Sequence, residues 1–406
     1  MYPVIRQPEY DFADESYADS YPNIHKYPAT MLPQIGIKVL HDLNIKTGIL
    51  FDPYCGSGSS FAAGLDIGIK RMFGYDVNPL ARLISKARFT QIHPNNLYLY
   101  YDWIQKQILD LPKNGHLHDD SSKLSFFNGN YWFSESVLQA LSVIDCFLKQ
   151  IADQRVLQIF QVGFAETLRL CSYTRNGEFK LYRMKRDQME AFNPDVYNIF
   201  INKIRFIIDI YENYYFPKLT GTKILIQDEI SYPIKAYDVI LTSPPYGDSR
   251  TTVAYGQFSR FANEWLAVDY ARNVDTMLMG GRKSERIYRN SLITPIIMEI
   301  DGKSHKRALE VSSFYHDLSV SIEQVSRTVK SGGKAIYVVG NRRVKNIQLP
   351  TDQFIAEQFE RNGWRHLVTY ERIIGNKVMP SENSPTNKRG AKSSTMSQEF
   401  IVICEK

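Results

Sequence analysis

A chain of 406 residues has room for a full α/β domain and an insertion, so core size sets no limit on what it can build. Its formal charge of +6 is mildly basic, which suits a nucleic-acid partner without requiring one. The four cysteines, Cys55, Cys146, Cys171 and Cys404, share no metal-ligand or redox spacing. No apolar run approaches the ~20 residues of a membrane span, and the start lacks the basic, then apolar pattern of a leader. A protein that is soluble, cytoplasmic, reduced and without a metal site is the expectation.

Residues before about Tyr21 are polar, aromatic and aperiodic, and read as a loose tail or an arm ordered on contact. His25-Lys26-Tyr27-Pro28-Ala29 is a proline-limited turn into a helix starting near Leu32. Gly48 to Asp52 forms a short apolar strand that ends in an acid. Pro53-Tyr54-Cys55-Gly56-Ser57-Gly58-Ser59-Ser60 then makes a glycine-rich turn into a helix over Phe61 to Ile67. Glycines here let the backbone approach a ligand, and the helix start offers N–H groups. Such a turn alone is a weak signal, shared by many nucleotide binders. Its spacing is that of neither a phosphate loop nor a dinucleotide fingerprint, and Asp52 would repel a pyrophosphate while attracting a cationic amine. The next strand, Arg71 to Asp76, ends in a second acid where doubly wound nucleotide-binding folds hold a ribose diol. The competing role for Asp76 is to cap the helix Pro79 to Lys86, which Asn78 could equally do.

From about Thr90 to Thr222 the pattern changes to a polar loop holding His116, His118, Asp119 and Asp120, followed by three amphipathic stretches, Ser134 to Ile151, Arg155 to Leu170 and Asp195 to Tyr215. These read as a helical insertion, with the histidines in a solvated loop. The segment Ser172 to Arg183 mixes cations, aromatics and hydrogen-bonding side chains around a turn, suited to base edges or phosphates, or else an exposed hairpin. Strand character returns at Lys223 to Asp228, with a third terminal acid, and at Tyr237 to Leu241. That last run stops at Thr242-Ser243-Pro244-Pro245-Tyr246. Two prolines remove two N–H donors and fix two φ angles, so the Ser243 and Pro244 carbonyls are held in place. The Ser243 hydroxyl, the Pro244 carbonyl and the flat face of Tyr246 suit a planar aromatic amine. On its own, the same sequence is equally a rigid turn.

Downstream come a helix over Phe258 to Leu266, a long basic connection from Asp269 to Leu309, and a helix over Val311 to Val329. A Ser331-Gly332-Gly333 stop, a strand over Lys334 to Gly340 and a helix over Asp352 to Asn362 follow. Trp364 to Ile374 and Glu399 to Cys404 are expected as an antiparallel pair at the sheet edge. Basic clumps at Arg183 to Arg186, Arg282 to Arg286, His305 to Arg307, Arg342 to Lys345 and Lys388 to Arg389 favour phosphate contacts. The fold class is α/β, a doubly wound, mostly parallel sheet with a helical insertion. The units are 1–90 (arm and first half of the sheet), 91–222 (helical insertion), 223–268 (strands leading to the Ser-Pro-Pro-Tyr turn), 269–310 (basic loop) and 311–406 (closing strands and helices).

This constellation resembles the S-adenosylmethionine-dependent DNA amino-methyltransferases, specifically the cytosine-N4 group of restriction-modification methylases. Their Asp-Pro-Phe-x-Gly-Ser-Gly motif is similar to Asp52-Pro53-Tyr54-Cys55-Gly56-Ser57-Gly58, their ribose acid matches Asp76, and their Thr-Ser-Pro-Pro-Tyr turn matches Thr242 to Tyr246 without a change. His25 to Ala29 is similar to their cofactor-flanking segment, and Gly375 to Asn387 to their tail. The resemblance implies that Tyr27, Pro28, Asp52, Pro53, Gly56, Ser57, Gly58, Asp76 and Asp228 bind S-adenosylmethionine. Asp52 would hold its ammonium, the Gly56–Gly58 turn its carboxylate, and Asp228 would serve as the third acid, on the adenine side. Ser243, Pro244, Pro245 and Tyr246 would carry methyl transfer to a cytosine flipped from double-stranded DNA, with Tyr246 stacked on the base. A cognate restriction endonuclease is the implied second partner. Adenine-N6 transfer is the nearest alternative, and a catalytically silent nucleic-acid binder is the alternative from another class.

Overall fold

Eight apolar segments pair into one sheet in the computed structural model. They are β1 (Val4–Arg6), β2 (Ile49–Asp52), β3 (Arg71–Tyr75), β4 (Lys223–Gln227), β5 (Tyr237–Thr242), β6 (Val329–Val339), β7 (Arg365–Ile373) and β8 (Gln398–Glu405). The structure describes all residues except 14, 16–20, 112–123, 176, 249–251, 376–381, 384–392 and 395, and only the backbone of 382, 383, 393 and 394. The sheet order is β1-β7-β8-β6-β5-β2-β3-β4. Every neighbouring pair is parallel except those of β8, which runs antiparallel to both β7 and β6.

Strand alternation divides the core in two. Leu50, Val239, Leu241, Ile336 and Val338 face one layer of helices, while Phe51, Ile240, Ala335, Tyr337 and Val339 face the other. The first layer contains α1 (Pro33–Asp42), α2 (Ser59–Ile67) and α3 (Pro79–Phe89). Onto it pack the insertion helices α4 (Pro94–Leu109), α5 (Glu135–Leu148), α6 (Gln154–Leu170) and α7 (Val196–Ile210). After β5 come the short helices Tyr255–Phe258 and α8 (Arg260–Trp265). The second layer holds α9 (Thr294–Lys303), α10 (His305–Thr328) and α11 (Thr351–Arg361). Among the described residues no helix is long and apolar enough to cross a membrane.

The observed fold is thus a doubly wound, mostly parallel α/β sheet with helices inserted between β3 and β4. Its details depart from expectation in four places. The β7–β8 pair is not the edge, because β8 is sandwiched between β7 and β6 and β1 closes the sheet outside β7. The N-terminal arm is therefore part of the fold, and Tyr10 behind it is fully buried with its hydroxyl on Asp42, 2.8 Å away. Helix α4 occupies sequence read as loop, since it buries only Pro94, Leu97 and Ile104 and shows little periodicity. The connection Asp269 to Leu309 contains α9 and the start of α10, and the glycines at 332 and 333 lie inside β6, where its register against β5 shifts. The loop with His116 and His118, the clump Lys388–Arg389 and most of the Gly375 to Asn387 tail fall outside the described residues.

Candidate active site

β2 continues through α2 to β3 on one side, while β5 lies on its other side, so the chain reverses direction of travel across the sheet at β2. A crevice forms beyond the carboxyl ends of strands at such a point. Here it is lined by Tyr27, Asp52, Gly56, Ser57, Asp76, Ser243, Pro245, Tyr255 and Leu278. An adjoining cavity shares Tyr54, Asp76, Pro245 and Leu278 with it and adds Pro53, Val77, Ile230 and Met279. The two make one continuous cleft.

Asp52 ends β2 and is nearly fully buried. Its Oδ1 accepts from the Tyr54 amide at 3.0 Å and from Thr242 Oγ1 at 2.5 Å, and its Oδ2 accepts from Ser60 Oγ. Burial pushes this carboxyl up to about 6, with the Asp76 charge adding to the effect, against hydrogen bonds that favour the ionised form. Asp76 ends β3 and is half-buried. Its Oδ2 accepts from the Gly56 amide at 3.0 Å and its Oδ1 from the Asn78 amide at 2.8 Å. Burial raises its pKa too. The cap of α3 is Asn78, whose side chain accepts from the Leu80 amide, so Asp76 keeps lone pairs for a ligand.

Gly56 and Gly58 both sit at positive φ, +51° and +91°, as the sharp entry to α2 requires. Nothing lies within 4 Å of where a Gly56 side chain would start, whereas one on Gly58 would strike Phe89. The amides of both glycines are already engaged, Gly56 with Asp76 and Gly58 with the Cys55 carbonyl at 2.7 Å. The group left over is Ser57 Oγ, which is buried and has no hydrogen-bond partner among the described residues. Arg88, fully buried, fastens the turn from behind by donating to the Ser57 carbonyl and to Tyr215 Oη.

Ser243 lines the cleft; Pro244 is buried and Tyr246 is half-buried beside it. Ser243 Oγ donates to Tyr246 Oη at 3.4 Å, and Tyr246 Oη donates to Glu399 Oε1 at 2.9 Å. Edge atoms of the Tyr246 ring would lie 2.7 Å from a side chain at Gly340, so that glycine at the end of β6 sets how close the ring can sit. The corner is braced below by a buried ion pair, Arg342 Nη1 to Asp248 Oδ2 at 2.8 Å.

Tyr27, Asp52, Gly56, Ser57 and Asp76 come together in the cleft, whereas Gly58 is not part of its lining. Pro28 is buried and off the cleft, and Pro53 lines only the adjoining cavity. Asp228 does not join them. It is exposed beyond β4, paired with Lys86 at 2.6 Å and Arg82 at 3.7 Å, both cations of α3. Sequence reasoning missed Tyr255, stacked on Tyr27 with centroids 5.9 Å apart, and a buried amide network behind it. Asn78 Nδ2 donates to Tyr27 Oη and Ser259 Oγ, each at 3.0 Å, while Asn263 Nδ2 donates to Asn78 Oδ1 at 3.1 Å. Tyr255, Ser259 and Asn263 recur every four residues, a helical face that could have been read as a unit.

No protein-family model matches the chain. It is 37% identical over 412 residues to the type II methyltransferase M.MvaI of Kocuria varians, covering 93% of this chain and 89% of that one. Among solved structures, a DNA modification methylase from Thermus thermophilus aligns at 20% identity over 28% of this chain and 41% of its own, with a TM-score of 0.17. The rRNA methyltransferase aviRa from Streptomyces viridochromogenes aligns at 11% identity over 98% and 93%, with a TM-score of 0.31. Sequence identity to the Kocuria protein across nearly the whole length places the family beyond the motifs alone: the chain belongs to the type II methyltransferases.

Proposed function

We propose that this protein transfers the methyl group of S-adenosylmethionine to the exocyclic N4 amine of a cytosine flipped out of duplex DNA, acting in the cytoplasm to protect sites cut by a cognate restriction endonuclease. The observation that carries this reading is that Ser243 of the Ser-Pro-Pro-Tyr corner opens onto the same cleft as Asp52, Ser57 and Asp76.

The residues present fit the cofactor. Two acids in one cleft, both disfavoured by burial as anions, favour a cationic ligand, and the orphaned Ser57 hydroxyl suits its carboxylate. Asp76 is placed for a ribose diol, and the apolar walls Val77, Ile230, Pro245 and Met279 suit an adenine, a role left open by Asp228. When bound, S-adenosylmethionine supplies a methyl group on a cationic sulfur. The chain supplies Ser243 Oγ as an acceptor for the amine and holds it in place; orientation matters more here than a strong base.

For DNA, the insertion presents Phe127 and Tyr131, about half exposed, with Arg272 and Arg183 over their rings at 4.2 and 4.0 Å. Guanidinium groups over exposed rings suit phosphates and unstacked bases. Arg342 is not available for that purpose, since Asp248 holds it inside.

Mass analysis of nucleosides from plasmid DNA incubated with the protein and S-adenosylmethionine tests the proposal. N4-methylcytosine is expected. N6-methyladenine would reassign the base, and no methylated nucleoside at all would remove the reading.

A further inference from the structure

The Tyr246 phenol stands between two oxygens, accepting from Ser243 Oγ at 3.4 Å and donating to Glu399 Oε1 at 2.9 Å. Glu399 comes from β8, the antiparallel strand, more than 150 residues from the corner it touches. Its other oxygen lies 3.4 Å from Arg372 Nε on β7, and both side chains are largely buried. Arg372 is itself anchored by donating to the Tyr10 carbonyl at 3.3 Å. The carboxylate is thus fixed from behind and presents one oxygen to the phenol.

We propose that Glu399 is a positioning residue for methyl transfer, setting the direction of a hydrogen-bond chain from Ser243 through Tyr246. The proposal rests on the function proposed above. A carboxylate can only accept. Tyr246 must therefore donate to Glu399, which leaves the phenol oxygen as acceptor. Ser243 then spends its one proton on Tyr246, so its lone pairs face the cleft. A cytosine amine entering the cleft meets an acceptor, as it must if its nitrogen lone pair is to attack.

The same chain disposes of the surplus proton. As the N–CH₃ bond forms and the S–CH₃ bond breaks, the sulfur leaves as a neutral sulfide and the amine nitrogen holds one proton too many. That proton passes to Ser243 Oγ, the Ser243 proton to Tyr246 Oη, and the Tyr246 proton to Glu399 Oε1. The carboxylate ends as a carboxylic acid, the product is a neutral methylamino base, and solvent takes the proton before the next turnover. No oxidant or reductant is involved.

Glu399→Gln separates this role from simple packing. The glutamine carbonyl would turn to Arg372 and its NH₂ to Tyr246, reversing the chain so that Ser243 points a proton at the incoming amine. Glu399→Ala removes the carboxylate but leaves the phenol free to rotate and donate to water. The expected order is therefore unusual, with the near-isosteric glutamine worse than alanine. In single-turnover transfer of tritiated methyl to unmethylated plasmid DNA, Glu399→Gln should lose about 100-fold in rate, Glu399→Ala less, and Tyr246→Phe about as much as glutamine. Cofactor affinity measured by calorimetry should stay within about twofold in all three, which checks that each has folded. A glutamine variant within about threefold of wild type, an alanine variant slower than glutamine, or an unimpaired Tyr246→Phe would each overturn the assignment. Absence of N4-methylcytosine with the wild-type protein would instead overturn the function beneath it.

Discussion

Asp52 is held where its charge is least comfortable, and its behaviour with pH follows. In the folded chain its pKa is raised to about 6 from 3.8, so between those values the native state binds more protons than the unfolded one. Ionisation of Asp52 therefore works against the fold as pH rises through about 6, and a cationic ligand offsets that penalty. Cofactor affinity should fall as pH drops below about 6, approaching tenfold per pH unit, and calorimetric titration across about pH 5 to 8 measures it. An affinity flat over that range would exclude Asp52 as the counter-charge. Ser57 makes the complementary case. Among the described residues its hydroxyl has no partner, so Ser57→Ala should leave the melting temperature unchanged yet weaken cofactor binding about tenfold. At Gly340 the reverse split is expected, since an added methyl collides with Tyr246 and Met396 rather than with the cofactor residues. Gly340→Ala should slow transfer at least about tenfold while cofactor affinity is retained.

Elements with strict periodicity and firm punctuation could be read from sequence; those without could not. β2, β3 and β5 announced themselves through apolar runs ended by an acid or by paired prolines, and α6 and α7 through helical spacing. The cleft residues Asp52, Gly56, Ser57 and Asp76 could be grouped for the same reason, because they lie on two adjacent short segments. Glu399 was illegible, since one acid in an alternating strand carries no signal and its role depends on β8 crossing beside β6. Tyr10 and β1 were hidden as well, three strand residues being too few to show a period. Asp228 was misleading because an acid at the end of a strand does not show which way it faces, and here it lies exposed beside two cations of α3. The brace between the Ser-Pro-Pro-Tyr turn and the residues after β6 gives a test at this scale. Arg342→Met leaves Asp248 buried without its cation and should lower stability by about 3 kcal/mol, measured by urea unfolding. A loss under about 1 kcal/mol would mean the pair contributes little to holding the corner.

Across the whole molecule, the insertion and the α/β sheet are tied together rather than loosely linked. Arg88 joins the glycine turn to Tyr215, and Tyr215 in turn donates to the Pro22 carbonyl at 2.9 Å. The Asn78 network joins α3 to the helix after the catalytic corner. Replacing Arg183 and Arg272 together by alanine should weaken DNA binding and reduce its salt dependence, with cofactor affinity unchanged, as read by fluorescence anisotropy at several salt concentrations. Unaltered DNA affinity would move the contact surface elsewhere.

The hydrogen bond from Thr242 to Asp52 has a thermodynamic corollary. One carboxylate touches both the strand that ends in the donor pocket and the strand that ends in the acceptor pocket, so a charge arriving at the first is registered at the second. Cofactor and base should consequently reinforce each other's binding, the empty protein grasping its target base weakly and the charged one firmly, by the same factor in either direction.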